Sequence, residues 1–326
     1  MTTEPTAAVG YPQVLRTPTW AWWRPLVGSV VLLVAVFVLA GLVMTPVLVV
    51  AVYVQVGIEG GNFADAFTKA ADLDRVTPAS MLYLNLTLAT GVLVAWAVVR
   101  WLHGVRPRWL TSVRPGIRWR FLLACLPISV VALAVQVGLG LLVPAEGNEN
   151  TGQVGTLNHL GGQALAFAIV IVLTTPLQAM GEEYVFRGYL MQAIGSLFGR
   201  WSGLAFAVTL LVPALLFAIA HGAQDPPLFF DRFGFGVLAG FLVVRVGGLE
   251  PGIALHVLNN FVAYGFALVF GNIATVFEAT KTSYWNIPVT IVQSLVYVGL
   301  VLLVARRMGV AGATSQPPGR IGQRPV

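Results

Sequence analysis

Residues 26–56 read LVGSVVLLVAVFVLAGLVMTPVLVVAVYVQV and contain no Asp, Glu, Lys or Arg. A helix needs about 20 consecutive apolar residues to cross the hydrocarbon of a bilayer. This run is longer than that, so it predicts a spanning helix that tilts or bends, with Pro46 as the expected bend. Seven further stretches have the same character: about Met81–Val99, about Phe121–Val143, Ala164 through Pro176 into Glu182, about Ser202–Ala220, about Leu228–Val246, Pro251 to about Phe270, and about Val289–Ala305. The expected fold is an all-α polytopic membrane protein of about eight transmembrane helices.

Composition agrees. Only 10% of the residues are charged and 57% are hydrophobic, against about 25% charged in a soluble domain. The formal net charge of +6 would suit a nucleic-acid partner, but the arginines form no aromatic-interleaved patch, and none is expected. They sit in loops instead. Arg100, Arg106, Arg108, Arg114, Arg118 and Arg120 follow the second segment; Arg16 and Arg24 precede the first; Arg306, Arg307, Arg320 and Arg324 follow the last. The loops after the first and third segments are acidic on balance, with Glu59, Asp65, Asp72 and Asp74 against Lys69 and Arg75, and then Glu146 and Glu149. Basic loops stay cytoplasmic, so both termini are expected in the cytoplasm and the protein in the plasma (inner) membrane. Lys69 and Lys281 are the only lysines, which hints at a bacterial source. The single cysteine, Cys125, excludes a disulfide within the chain and a thiolate metal cluster, and reads as a packed small side chain. Residues 1–20 lack the pattern of a cleaved signal peptide, and the first apolar run is too long for one, so it is expected to remain as an anchor.

Ionisable groups at bilayer depth are costly and mark function. Segments one to three carry almost none. From Pro176 onward the chain holds Glu182, Glu183 and Arg187 on the fourth segment, His221 at the end of the fifth, and His256 with Asn259 and Asn260 on the seventh. On a helix, Glu183 and Arg187 are four residues apart and can pair, while Glu182 turns away from the arginine. One carboxylate is then neutralised, and the other is free to face a cavity as a general base or acid. His256 and Asn260 share one helix face.

A carboxylate and an imidazole can hold and deprotonate a water; a second imidazole and a carboxamide can donate to a tetrahedral oxyanion. That is peptide hydrolysis without a covalent enzyme intermediate. The same groups allow zinc ligation by Glu182, His221 and His256, although the H-E-x-x-H motif is absent. Other features read as structural. Gly236 and Gly240, and Gly195, Gly199 and Gly203, have the spacing of close helix contacts. Asp231 and Arg232 read as an interfacial pair, and Glu250-Pro251 as a helix start. His103 and His159 are expected in solvated loops, and Trp20, Trp22 and Trp23 at the membrane interface.

Three motifs carry a family resemblance. Glu182-Glu183-Tyr184-Val185-Phe186-Arg187-Gly188 resembles E-E-x-x-x-R-G, Phe217 to His221 resembles F-x-x-x-H, and His256 to Asn260 resembles H-x-x-x-N, after a similar Gly247-Gly248-Leu249 turn. Together they resemble the CPBP family of intramembrane proteases (CAAX prenyl protease 2-like, Abi and bacteriocin-processing), over about residues 160–305. The resemblance implies a glutamate-dependent or metallo-endopeptidase acting on membrane-associated peptides or proteins. In it Glu182 is the general base, His256 helps activate water, His221 and Asn260 stabilise the oxyanion, and Glu183 and Arg187 support the site. No cofactor is required in this reading; zinc is the alternative. The chain then divides into a flexible tail (1–20), an accessory three-helix region (21–159), a catalytic region (160–305) and a second flexible tail (306–326), with a flexible loop at 144–163. Two rival readings are a non-catalytic immunity or scaffold protein of the same fold, and an ion- or proton-coupled transporter.

Overall fold

The fold is that of a computed structural model describing residues 8–72, 76–144, 161–222, 224–270 and 279–316, together with residues 273, 276 and 318. Seven helices are long and apolar enough to cross a membrane: α1 (Trp23–Glu59), α3 (Pro78–His103), α4 (Trp119–Gly140), α5 (Gly162–Leu197), α7 (Pro226–Val246), α8 (Glu250–Phe270) and α9 (Asn286–Arg307). Among the described residues two shorter helices accompany them, α2 (Phe63–Ala71), in the acidic loop after α1, and α6 (Gly203–Ile219). The expected fold class is observed. Large apolar side chains such as Val30, Leu42, Tyr53, Leu93, Leu173 and Leu295 are exposed along the helices. That is the surface a lipid-facing bundle requires, since its backbone is already satisfied within each helix.

The count of eight crossings has a structural argument. Strand β1 (Val9–Gly10) pairs antiparallel with β2 (Ala313–Thr314), so both ends of the chain lie at one end of the bundle. The loops after α3, α5 and α7 lie there too. Tyr11 donates to the Leu110 carbonyl, Gln13 to that of Phe198 (3.2 Å) and Arg16 to that of Ser196 (2.8 Å). Val113 N–H donates to Gly247 (2.8 Å), and Leu249 N–H to Thr111 (2.9 Å). At the opposite end Asp225, before α7, donates its N–H to Thr280, after α8 (2.8 Å). Two ends on one side demand an even number of crossings. The 17-residue α6 is therefore a crossing, although at about 1.5 Å per residue it spans only about 26 Å.

Several expectations are corrected. Residues 8–20 were expected as a flexible tail, but Tyr11, Val14 and Leu15 are buried against the bundle, and the β1–β2 pairing fixes part of the C-terminal tail. His103 was expected in a solvated loop. A π-turn over Val99–His103 carries α3 past Arg100, leaving His103 4% exposed with Nε2 2.9 Å from Tyr189 Oη. His159, and residues 145–160 of the loop expected to be flexible, lie outside the described residues, as do Asp74, Arg75, Arg320 and Arg324. Asp231 and Arg232 lie beyond salt-bridge distance, though their charges act on each other; the direct contact of Asp231 is with the Thr290 hydroxyl of α9, from which it accepts. Of the two glycine series, Gly236 and Gly240 do press α7 onto Ala214 and Leu210 of α6; Gly195 instead lets Pro12 of the N-terminal segment approach α5, and Gly203 lies beyond the helix end at Leu197 with open space about it.

Polar contacts between helices register the bundle, as small polar groups do where no water competes. Asn85 of α3 donates to Thr174 of α5 (2.8 Å). Tyr297 of α9 donates to the Pro251 carbonyl of α8 (2.8 Å) and accepts from Ser129 of α4 (3.1 Å). Glu250 starts α8 as expected, and its charge is balanced by Arg118. The guanidinium reaches both carboxylate oxygens (2.9 and 2.6 Å) and also donates to the Val246 carbonyl (2.8 Å). The loop arginine thereby fixes α4 against the α7–α8 corner.

Candidate active site

The glutamate motif lies where α5 changes geometry. The α-helical hydrogen bonding ends at Glu183, a π-helical stretch runs over Tyr184–Leu190, and α-helix resumes at Met191. The ideal 100° step therefore applies up to Glu183 but not beyond it. Gly181 sets the depth of this turn. A Cβ there would land on the Leu88 carbonyl of α3, so only glycine permits the α3–α5 crossing that presents Glu182 and Glu183 inward.

His256 of α8 sits between the two carboxylates. Its Nδ1 is 2.9 Å from Glu183 Oε1, and its Nε2 is 3.2 Å from Glu182 Oε2. Glu183 Oε1 is also 3.1 Å from Arg187 Nη1, the expected i,i+4 pair. Glu183 and Arg187 are both essentially inaccessible, and Glu182 is 8% exposed. The expected unpartnered Glu182 carboxylate thus faces an imidazole instead, because α8 approaches closely enough to reach both glutamates. That approach depends on Gly252, one turn before His256: a Cβ there would lie 2.5 Å from Glu183 Oε2.

Phe217 of α6 is the centre of the site's apolar wall. The Arg187 guanidinium carbon stands 4.1 Å over its ring, and the His256 and His221 rings meet it at centroid distances of 5.9 and 4.6 Å. Phe235 of α7 closes the other side, 5.0 Å from the His256 ring and 5.1 Å from the Arg187 guanidinium. Two aromatic faces thus flank the arginine charge.

The structure brings Glu182, Glu183, Arg187 and His256 into one contact set. Asn260 joins it indirectly: its Nδ2 donates to Gln178 Oε1 (3.0 Å), and Gln178 lies one turn before Glu182 on α5. His221 stands at the rim, exposed, just beyond the end of α6. Its Nδ1 is 2.7 Å from the Phe217 carbonyl. A carbonyl only accepts, so Nδ1 carries the proton, and in the neutral ring Nε2 is left as an acceptor. Beside His221, a groove of ≈ 340 Å³ lined by Val34, Phe37, Val38, Phe186, Ile219 and Ala220 opens between α1 and α6.

Sequence reading missed Gln178, Gly252 and Phe235. The signal for the first two was present: a glutamine one turn before Glu182 in an apolar helix, and a glycine one turn before His256. Phe235 had none, being one of many aromatics. Among the described residues no three His, Cys, Asp or Glu side chains are grouped to hold a metal ion, and His256 directs both ring nitrogens at carboxylates.

Fold and site define a polytopic membrane protein with a buried acid–imidazole centre. Residues 163–262, which carry all three motifs, match the family model described as type II CAAX prenyl endopeptidase, Rce1-like. The chain is also 30% identical over 150 residues to an uncharacterized protein, YyaK, of Bacillus subtilis (strain 168), an alignment covering 42% of this chain and 47% of that relative. The chain thus matches less than half the length of that relative. No solved structure matches the chain. The motif resemblance to CAAX-type proteases holds for the segment that bears the motifs.

Proposed function

We propose that the chain is an intramembrane endopeptidase that hydrolyses membrane-associated peptides or proteins with a glutamate-activated water. The observation that carries this reading is the meeting of Glu182, Glu183 and His256 from two helices, walled by Phe217 and Phe235, with His221 and Asn260 at its edge. Glu182 is the general base. With both glutamates ionised, His256 donates through Nδ1 to Glu183, while its Nε2 contact with Glu182 lacks hydrogen-bond geometry, so the Nε2–H and the second amide proton of Asn260 are the donors for an oxyanion. His221 Nε2, bare in the neutral ring, shares the proton of the attacking water with Glu182. This exchanges the roles that the family resemblance gave the two histidines. The reason is the hydrogen bond from His221 Nδ1 to its own helix. Glu183 and Arg187 act through His256 as positioning residues.

Lateral access supports a substrate that lives in the bilayer. The apolar groove beside His221 is bounded by α1 and α6 and offers no charge to a soluble peptide. His256 is six residues into α8, about 9 Å from its start at 1.5 Å per residue, at the end of the bundle that bears both termini. Cleavage would occur near the cytoplasmic leaflet of a bacterial inner membrane. The reading is tested by incubating purified protein with a membrane-anchored reporter peptide. Cleavage should be abolished in Glu182→Ala; equal cleavage by that variant would defeat it.

A further inference from the structure

Against Phe235, four helices line a partly open cavity of ≈ 20 Å³, room for about one water-sized species. Six oxygen-bearing side chains line it: Gln136 of α4, Asp231 of α7, Asn259 of α8, and Thr290, Gln293 and Ser294 of α9. The Thr290 hydroxyl donates to Asp231 Oδ1. Gln293 is 7% exposed, yet makes no hydrogen bond to any described residue. Gln136, Asn259 and Ser294 likewise have none among the described residues. These amides and the Ser294 hydroxyl therefore face the cavity with hydrogen-bonding capacity that an occupant would satisfy.

Asp231 sets the sign of the missing ligand. It lies within a membrane-spanning helix and, among the described residues, forms no ion pair with Lys, Arg or His. Arg232, the next residue, lies beyond ion-pair distance, so its charge acts on Asp231 only through space and leaves the carboxylate without a contact cation. A carboxylate in such a place calls for a compensating positive charge. The other five groups are neutral, hard oxygen donors, which suit cations that prefer oxygen to nitrogen or sulfur. One negative charge is matched by one positive charge; a divalent ion would leave an excess in a low-dielectric interior. We infer that this cavity binds a single monovalent cation of sodium size, coordinated by Asp231 with the oxygens of Gln136, Asn259, Thr290, Gln293 and Ser294.

Such an ion ties α4, α7, α8 and α9 at one point. Phe235 and Leu255 belong to its wall, and Phe235 also packs on His256, so occupancy stabilises the bundle that holds the catalytic histidine. The inference concerns binding and does not depend on the protein being a protease.

The test is thermal unfolding of the detergent-solubilised protein in sodium chloride and in choline chloride at equal ionic strength, with equilibrium binding of radioactive sodium. About 150 mM sodium should raise the Tm of the wild type by about 4 °C or more over choline, with saturation at one ion per chain. Asp231→Asn, which keeps the acceptor for Thr290, should abolish both effects. Gln293→Met, which keeps the volume, should weaken sodium binding by about tenfold; it decides the matter alone if Asp231→Asn does not fold. Equal Tm in sodium and choline for the wild type, or an undiminished sodium effect in the variants, would overturn the assignment and leave the cavity to a water beside a protonated Asp231.

Discussion

Gly252→Ala isolates the contact on which the site's geometry rests. The added Cβ would lie 2.5 Å from Glu183 Oε2 and 3.3 Å from Glu183 Cδ, with Ala239 Cβ 3.6 Å away on the other side. Carbon–oxygen contacts of this kind do not persist below 3.0 Å, so the carboxylate must retreat by at least about 0.5 Å, an overpacking strain of about 1–3 kcal/mol. Retreat is resisted, because Glu183 Oε1 is held by His256 at 2.9 Å and by Arg187 at 3.1 Å. If Oε1 moves as far, the His256 bond stretches to about 3.4 Å, beyond the usual range. His256 then loses its orientation toward Glu182. Expressed fully in the transition state, 1–3 kcal/mol is a loss of about 5- to 150-fold in kcat/KM. The assay is reporter cleavage in proteoliposomes, paired with thermal unfolding in detergent. Gly265→Ala on the same helix is the control: nothing lies within 4 Å of its Cβ, so it should cleave at the wild-type rate. A Gly252→Ala protein with wild-type kcat/KM and wild-type Tm would refute the close approach of α8 to Glu183.

Three further outcomes are expected. Glu183→Gln leaves the inaccessible Arg187 guanidinium without its counter-charge and should destabilise the fold by about 3–5 kcal/mol; denaturant or thermal unfolding measures it, and replacing both partners by apolar residues should recover most of the loss. Arg118→Ala removes the two-pronged contact to Glu250 and the bond to the Val246 carbonyl, and should lower stability by about 3 kcal/mol or more, since a buried carboxylate is left unpaired. Gln178→Leu frees the Asn260 amide to rotate. It should lower kcat by about tenfold with KM unchanged, well short of the ~100-fold or more expected for deleting an oxyanion donor outright; steady-state kinetics with the reporter distinguishes the two.

The spanning helices were legible because hydrocarbon imposes one requirement, about 20 apolar residues, that hydropathy reports directly. Even α6, the shortest, was found this way. The pairing of Glu183 with Arg187 was legible because helix periodicity is local. What periodicity could not give was the third dimension. That α8 reaches both glutamates follows from Gly252 and Gly181, where the absence of a side chain matters only once a neighbouring helix is in place. The π-turns that bury His103 and that begin just after Glu183 break the uniform 100° step, and no residue type announces them. Arg118 counted only as one of the basic loop residues, because its partner Glu250 lies 132 positions away in the chain. The buried tail residues Tyr11, Val14 and Leu15 were hidden in a stretch whose prolines and polar residues resemble a linker.

A double-mutant cycle on Glu182 and His221, read as kcat/KM for reporter cleavage in proteoliposomes, addresses most directly whether groups on separate helices act as one catalytic unit. Glu182→Gln and His221→Ala should each cost about 1,000-fold or more, and the double variant should be no slower than the worse single one, as for residues that serve a single step. Losses that multiply in the double variant, or a wild-type protein that cleaves no faster than Glu182→Gln, would contradict it.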